Sequence, residues 1–89
     1  MPEIDPELRT LFEAAVSRSH ELERRPDNVT LLQLYALFKQ AMEGDVTGEK
    51  PAITDFVAQA KWNARAALQG LSSAEAMRRY IELVAELDR

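Results

Sequence analysis

The chain has 89 residues, no cysteine and a formal net charge of −4 at pH 7. A chain of this length is near the lower limit for independent folding, so most of its apolar residues, 46% of the total, must enter one core. The lack of cysteine excludes disulfides and thiolate catalysis, and the acidic balance disfavours nucleic acid as a partner.

The sequence contains no basic segment followed by an apolar run at its N-terminus, and no apolar stretch of about 18 residues. We therefore expect a single domain over residues 1–89 that has no membrane span and stays in the cytoplasm.

The first helix is predicted to begin at Asp5, because an aspartate in the N-cap position is followed by Pro6 and Glu7. It must end before Pro26, since the residue that precedes a proline is disfavoured in the α region. Its predicted packing face consists of Leu8, Leu11, Phe12, Ala15, Val16, Ser19 and Leu22.

The second helix is predicted from about Val29 to Glu43, with Asp27 as its N-cap and Gly44 as its stop. At about 100° per residue, its apolar arc is unusually wide. The arc contains Leu31, Leu32, Leu34, Tyr35, Leu37, Phe38, Lys39, Ala41 and Met42, and it leaves Gln33, Ala36, Gln40 and Glu43 for solvent. Such a helix is either buried on two sides or lines a ligand site.

Residues 44–51 combine glycine, aspartate and proline, which predicts a turn rather than a regular element. The third helix lies between Thr54 and Gln69 and is ended by Gly70. Its predicted inner stripe consists of Val57, Ala60, Ala64 and Leu68.

The fourth helix begins at Ser72, which forms a capping box with Glu75. Its inner face contains Ala76, Met77, Tyr80, Ile81, Val84 and Leu87. No strand alternation or internal repeat is visible in the chain. We therefore expect an all-α fold, an antiparallel bundle of four helices.

Two lysines and two tyrosines fall on or at the edge of the inner faces of three helices; they are Tyr35, Lys39, Lys61 and Tyr80. Each residue has a structural interpretation as well as a functional one. Lys39 can lay its stem on apolar surface with its ammonium group in water, and Tyr80 can be a core residue whose hydroxyl finds a partner. Trp62 points away from the inner stripe and can pack under the loop 44–53.

Taken together, the lysines and tyrosines suit a ligand with three kinds of chemistry. Ammonium and phenol groups bind phosphate, aromatic rings stack on a purine, and an adjoining apolar trough shelters an alkyl chain. Coenzyme A esterified to a fatty acid has all three parts, whereas free fatty acid lacks the nucleotide and ATP lacks the chain.

The order of these residues resembles that of the acyl-CoA-binding protein family, small helical carriers of long-chain acyl-CoA. The resemblance rests on Tyr35, Phe38-Lys39-Gln40-Ala41, Gly44-Asp45, Pro51, Asp55-Phe56, Ala60-Lys61-Trp62, Gly70, Ser72, Ala76-Met77 and Tyr80-Ile81. It implies four helices that form a shallow bowl, with the nucleotide and its ribose 3′-phosphate at the polar rim and the acyl chain sheltered along the protein.

The resemblance also implies roles for individual residues. Tyr35 would contact the adenine and phosphate, and Lys39 would bind the 3′-phosphate. Lys61 would be a second cationic contact, and Tyr80 would close the nucleotide site. The implied acyl path is lined by Leu31, Leu32 and Ala60.

Several positions depart from the family pattern. Phe38 stands where the family has a second tyrosine, and a lost hydrogen bond to the ligand would cost about 0.5–1.5 kcal/mol. His20 takes the place of the usual basic residue near the end of the first helix. Arg65 replaces a second tryptophan, and its position beside Lys61 predicts that it restores part of the positive charge. The remaining departures are Ala52, Val57 and Gln59.

We therefore predict a non-enzymatic, monomeric carrier that binds medium- or long-chain acyl-CoA without a cofactor and presents it to acyl-CoA-using enzymes. The chain has one histidine and no nucleophile-elbow or phosphate-loop motif. One alternative is a helical interaction module that has lost the ligand and uses the second helix to hold a partner helix. Another is a carrier of free fatty acid, for which the lysines would be nearly dispensable.

Overall fold

The computed structural model describes residues 4–89, which form four α-helices. They are α1 (Pro6–Ser19), α2 (Asn28–Glu43), α3 (Phe56–Ala66) and α4 (Ser73–Leu87). No strand occurs in this part of the chain, so the predicted all-α fold of four helices is confirmed. Each of the four helices is too short or too polar to traverse a lipid bilayer.

Side-chain caps define where the helices begin. The carboxylate of Asp27 accepts a hydrogen bond from the Thr30 amide at 2.8 Å, and the Ser72 hydroxyl accepts one from the Glu75 amide at 3.1 Å. Asp5 caps α1 in the same way, so Asp5, Asp27 and Ser72 are confirmed as N-caps. The Glu75 carboxylate pairs with Arg78 and Arg79 instead of completing the predicted capping box. The Asp55 carboxylate caps α3 and fixes its start at Phe56.

A glycine ends α2 where the chain must change direction. Gly44 has φ 82° and ψ −157°, a region of backbone conformation that is open almost only to glycine. α1 ends at Ser19, well before the proline at position 26, and residues 20–27 form an irregular connection to α2.

The helices lie side by side in a flat layer. α2 packs against α3 and α4, and α4 packs against α1, within overall dimensions of 39 × 38 × 15 Å. The end of α2 meets the start of α4 through Gln40 and Leu71, so these two helices are antiparallel. The last turn of α1 lies beside the end of α4, where Arg18 forms an ion pair with Asp88 at 2.6 Å. Because the layer is thin, each of its two faces has an open groove beside α2.

The core lies where α1, α2 and α4 meet. It consists of Phe12, Ala15, Leu34, Leu37, Ala41, Ala76, Met77, Tyr80 and Val84. The ring of Phe12 joins the three helices, with its centroid 5.2 Å from that of Tyr80 and 6.0 Å from that of Phe38. The predicted inner face of α4 is confirmed, whereas α3 contributes no fully buried residue.

Two details of the predicted burial pattern are wrong. Ala36 and Gln40, which were predicted to face solvent, have only 2% and 1% of their surface exposed. The reason is that α2 packs on both sides, against α3 and α4. Conversely, Leu11, Met42 and Val57 are exposed although the periodicity places them on packing faces. Within residues 4–89 the helices form a flat layer, and no further helix covers these positions.

Candidate functional site

An open groove lies along one side of α2, between the end of α1 and the middle of α4. Its volume is about 350 Å³. It is lined by Val16, Ser19, His20, Leu31, Leu34, Tyr35, Phe38 and Tyr80. Most of these side chains are aliphatic or aromatic, and four of them carry a polar tip. The groove therefore suits a ligand with both apolar and polar parts.

Tyr80 forms the wall between this groove and the core. Its ring is buried in an edge-to-face contact with Phe12, and its hydroxyl donates a hydrogen bond to Ser19 Oγ at 3.0 Å. The Ser19 hydroxyl in turn donates to the carbonyl of Val16 at 2.6 Å. The interpretation of Tyr80 as a core tyrosine with a satisfied hydroxyl is confirmed, and the same residue also lines the groove.

Tyr35 lies at the rim of the groove beneath a lysine from α3. The ammonium nitrogen of Lys61 is 5.2 Å from the centroid of the Tyr35 ring, which is a cation–π distance. The Lys61 side chain remains exposed, so its charge is available to solvent or to an anion. The packing of α3 against α2 thus brings together two of the predicted site residues that are far apart in sequence.

Lys39 lies one turn after Tyr35 on α2. Its Nζ donates a hydrogen bond to Glu43 Oε2 at 3.0 Å, and 31% of its side chain is exposed. The stem is thus mostly covered, while the ammonium group is held near the surface by a carboxylate. Lys61 is thus the cation that lies against the Tyr35 ring, whereas the Lys39 ammonium group, one turn further along α2, is bonded to Glu43.

Arg65 has a defined structural role at the end of α2. Only 14% of its side chain is exposed, and its Nη2 donates to the carbonyl oxygen of Gly44 at 3.2 Å. Its Nη1 lies 3.7 Å from Glu43 Oε1. The hydrogen bond and charge of Lys39, together with the charge of Arg65, hold the pKa of Glu43 below its ordinary value. Arg65 therefore fastens α3 to α2, and its charge faces a carboxylate.

The remaining predicted residues do not all face the same groove. His20, Leu31 and Phe38 line it, but Leu32 lines a second cavity of about 410 Å³ on the opposite side of α2. Neighbouring residues of a helix point about 100° apart, which is enough to separate Leu31 from Leu32 in a thin layer. Ala60 is half-buried on α3, next to Lys61 in sequence.

Sequence analysis missed the structural importance of Gln40. Its buried side-chain amide donates to Asp45 Oδ1 and to the carbonyl of Leu71, both at 2.8 Å. The amide of Gly70 also donates to Asp45 Oδ1, again at 2.8 Å. The pKa of Asp45 is lowered mainly by the hydrogen bond from Gln40 and further by the bond from the Gly70 amide. Gln40, Asp45 and Gly70 all belong to the set of residues on which the family resemblance rests, and this membership was the signal that could have indicated their importance.

The family of this chain is established by comparison with known proteins. The profile of the family described as Acyl CoA binding protein matches residues 9–84. The chain belongs to the acyl-CoA-binding protein family. It is 42% identical to acyl-CoA-binding protein homolog 1 of Caenorhabditis elegans, over 85% of this chain and 88% of that protein. The predicted resemblance is therefore confirmed.

Solved structures support the same conclusion for the fold. The crystal structure of acyl-CoA-binding protein 2 from Oryza sativa superposes with a TM-score of 0.84 at 38% identity, covering 90% of this chain and 89% of that one. A further relative is rat enoyl-CoA delta isomerase 2, which is 45% identical over 85% of this chain. The match covers only 19% of the isomerase, so it concerns a small part of that protein.

Proposed function

We propose that this protein is a non-enzymatic intracellular carrier that binds medium- and long-chain acyl-CoA, buffers it and presents it to acyl-CoA-using enzymes. The supporting observation is the position of Tyr35 at the rim of an apolar groove, with the Lys61 ammonium group 5.2 Å from its ring centroid. A ring, a cation and an adjoining apolar wall match the base, the phosphate and the alkyl chain of this ligand.

In the proposed complex, Lys39 and Lys61 bind the 3′-phosphate, since Lys61 lies against the ring of Tyr35 and Lys39 follows Tyr35 by one turn of α2. The ring of Tyr35 contacts the adenine, and Tyr80 closes the nucleotide site from α4. Stacking of a base on an aromatic ring contributes on the order of 1–3 kcal/mol. His20, at the end of α1, borders the same groove and gives a further polar contact.

The acyl chain is proposed to follow the apolar side of the groove past Leu31 and Phe38. Each buried CH₂ group contributes about 0.8 kcal/mol, so affinity rises with chain length until the groove is filled. Ala60 continues this path on α3. Leu32 contacts the chain only where the chain leaves the groove, because its side chain lies toward the opposite side of α2.

We further propose that the protein acts as a cytoplasmic monomer and needs no cofactor. Its relatives include proteins named for acyl-CoA binding that match it over nearly their whole length. We assign no isomerase activity to it, because the rat isomerase shares only 19% of its length with this chain.

Calorimetric titration with acyl-CoA esters of increasing chain length tests the proposal, with free coenzyme A and free fatty acid as the two fragments. We expect a Kd below about 1 μM for the long-chain thioester and much weaker binding of each fragment. Lys39→Ala should weaken binding roughly tenfold or more, because a hydrogen bond to a charged group is lost. Lys50→Ala, which removes an exposed lysine from the loop before α3, is the matched control and should bind normally.

The titration also has a result that would overturn the proposal. If a correctly folded protein gives no heat with any acyl-CoA, the groove does not bind this ligand. The alternative of a helical interaction module would then be the one to test.

A further inference from the structure

Glu43 occupies an unexpected place for an acidic residue. It lies in the last turn of α2, where a carboxylate is disfavoured by the negative end of the helix dipole. It also follows Lys39 by four residues, which is the less favourable order for an ion pair within a helix. Helix stability alone therefore gives no reason for an acid at this position.

The contacts of Glu43 point to a different role. One carboxylate oxygen accepts a hydrogen bond from Lys39 Nζ at 3.0 Å, and the other lies 3.7 Å from Arg65 Nη1. Arg65 is fixed by its bond to the Gly44 carbonyl, so the carboxylate is held between a cation of α2 and a cation of α3. A carboxylate thus already pairs with Lys39, one of the two lysines that we assign to the 3′-phosphate.

We propose that Glu43 is an internal competitor of the ligand's phosphate. In the free protein its carboxylate occupies Lys39, and the incoming 3′-phosphate must displace it before the lysine can bind the ligand. The inference rests on the proposed function, because it assigns Lys39 to the phosphate. Glu43 is then a residue that sets affinity and discriminates between ligands with and without this phosphate, without contacting either of them.

The displacement has a physical basis in the charges. A carboxylate carries one negative charge, whereas a phosphate monoester carries up to two and has three acceptor oxygens. The phosphate is therefore the stronger partner for Lys39, but binding it breaks the Lys39–Glu43 pair. A ligand without the 3′-phosphate keeps the diphosphate of coenzyme A but lacks the phosphate that we assign to Lys39. Arg65 keeps Glu43 partly neutralised after Lys39 has moved.

The test is the affinity of Glu43→Gln for a long-chain acyl-CoA and for its 3′-dephospho form. The glutamine keeps the shape of the side chain and removes its charge. We expect binding of the phosphorylated ligand to become about two- to fivefold tighter, the range set by an exposed ion pair, with less than a twofold change for the dephospho form. The gain should shrink at high salt and should disappear in the Lys39→Ala background.

The experiment has a matched control, and its two possible negative outcomes can be distinguished. Glu13→Gln removes an acid from another pair of the same order, Arg9 and Glu13 at 3.2 Å, and should leave both affinities unchanged. Unchanged or weaker binding by Glu43→Gln, with wild-type binding that depends on Lys39, overturns the role of Glu43 alone. Absence of wild-type binding overturns the proposed function and the competitor role together.

Discussion

At the scale of single residues, Tyr80 belongs to two environments at once. Its ring contacts Phe12 in the core, and its hydroxyl bonds Ser19 at the edge of the groove. A buried phenol requires such a partner, because an unpaired polar group in an apolar environment is costly. The contact between α1 and α4 thus fixes the orientation of a residue that we assign to the nucleotide site.

We predict that Tyr80→Phe lowers the free energy of unfolding by about 0.5–1.5 kcal/mol, the usual contribution of a single hydrogen bond. Urea unfolding followed by circular dichroism measures the change. Ser19→Ala removes the same bond from the other side, so the double variant should lose less than the sum of the two single variants. Strictly additive losses would show that the bond from Tyr80 to Ser19 contributes nothing.

At the scale of the helices, a polar latch joins the end of α2 to the turn before α4. The side chain of Gln40 reaches both Asp45 and the carbonyl of Leu71, and Asp45 also accepts a bond from the Gly70 amide. The latch fixes the antiparallel arrangement of α2 and α4. It also positions the last turn of α2, in which Lys39 and Glu43 lie.

Gln40→Ala is expected to destabilise the fold by about 1–3 kcal/mol, because the carbonyl of Leu71 loses its side-chain donor in a part-buried site. Gln33→Ala makes the same substitution at an exposed position of the same helix and should stay within about 0.5 kcal/mol of wild type. Both values come from urea unfolding. Equal losses for the two variants would contradict the latch.

At the scale of the whole molecule, the folded arrangement changes the pKa of four carboxylates. The pKa values of Asp27, Glu43, Asp45 and Asp88 all lie below their ordinary values. For Asp88 the main cause is its hydrogen bond with Arg18, which joins the ends of α1 and α4. For Asp27 it is the bond from the Thr30 amide at the start of α2.

These shifts predict acid sensitivity of the fold. A carboxylate with a lowered pKa in the folded state stabilises the protein above the ordinary pKa, which is 3.8 for aspartate, and loses this contribution as the pH falls through the lower folded value. The urea midpoint should thus be nearly constant from neutral pH to about pH 5 and fall below that. The Asp88→Asn variant should be less stable than wild type at neutral pH, and its stability should fall less than that of wild type on acidification. An unchanged acid slope would exclude Asp88 as a contributor.

The individual helices are predictable from local signals in the sequence. Capping residues such as Asp27 and Ser72, and the helix-ending Gly44, act through hydrogen bonds and backbone conformation within a few residues, so they are readable without the fold. The inner face of α4 was also predictable, because its apolar residues recur at helical spacing and α4 packs mainly through that one face. The order of residues from Tyr35 to Tyr80 also identified the family.

The helix faces that contact one another are not predictable from local signals. Gln40 is buried because α2 packs on two sides, whereas Val57 is exposed because none of the residues 4–89 covers the first turn of α3. Leu31 and Leu32 fall on opposite sides of a thin layer, and Lys61 meets Tyr35 across two helices. Periodicity gives the direction of a side chain about its own helix axis. The neighbours that cover or contact the side chain depend on how the helices are arranged, and this arrangement is set by contacts between distant parts of the chain.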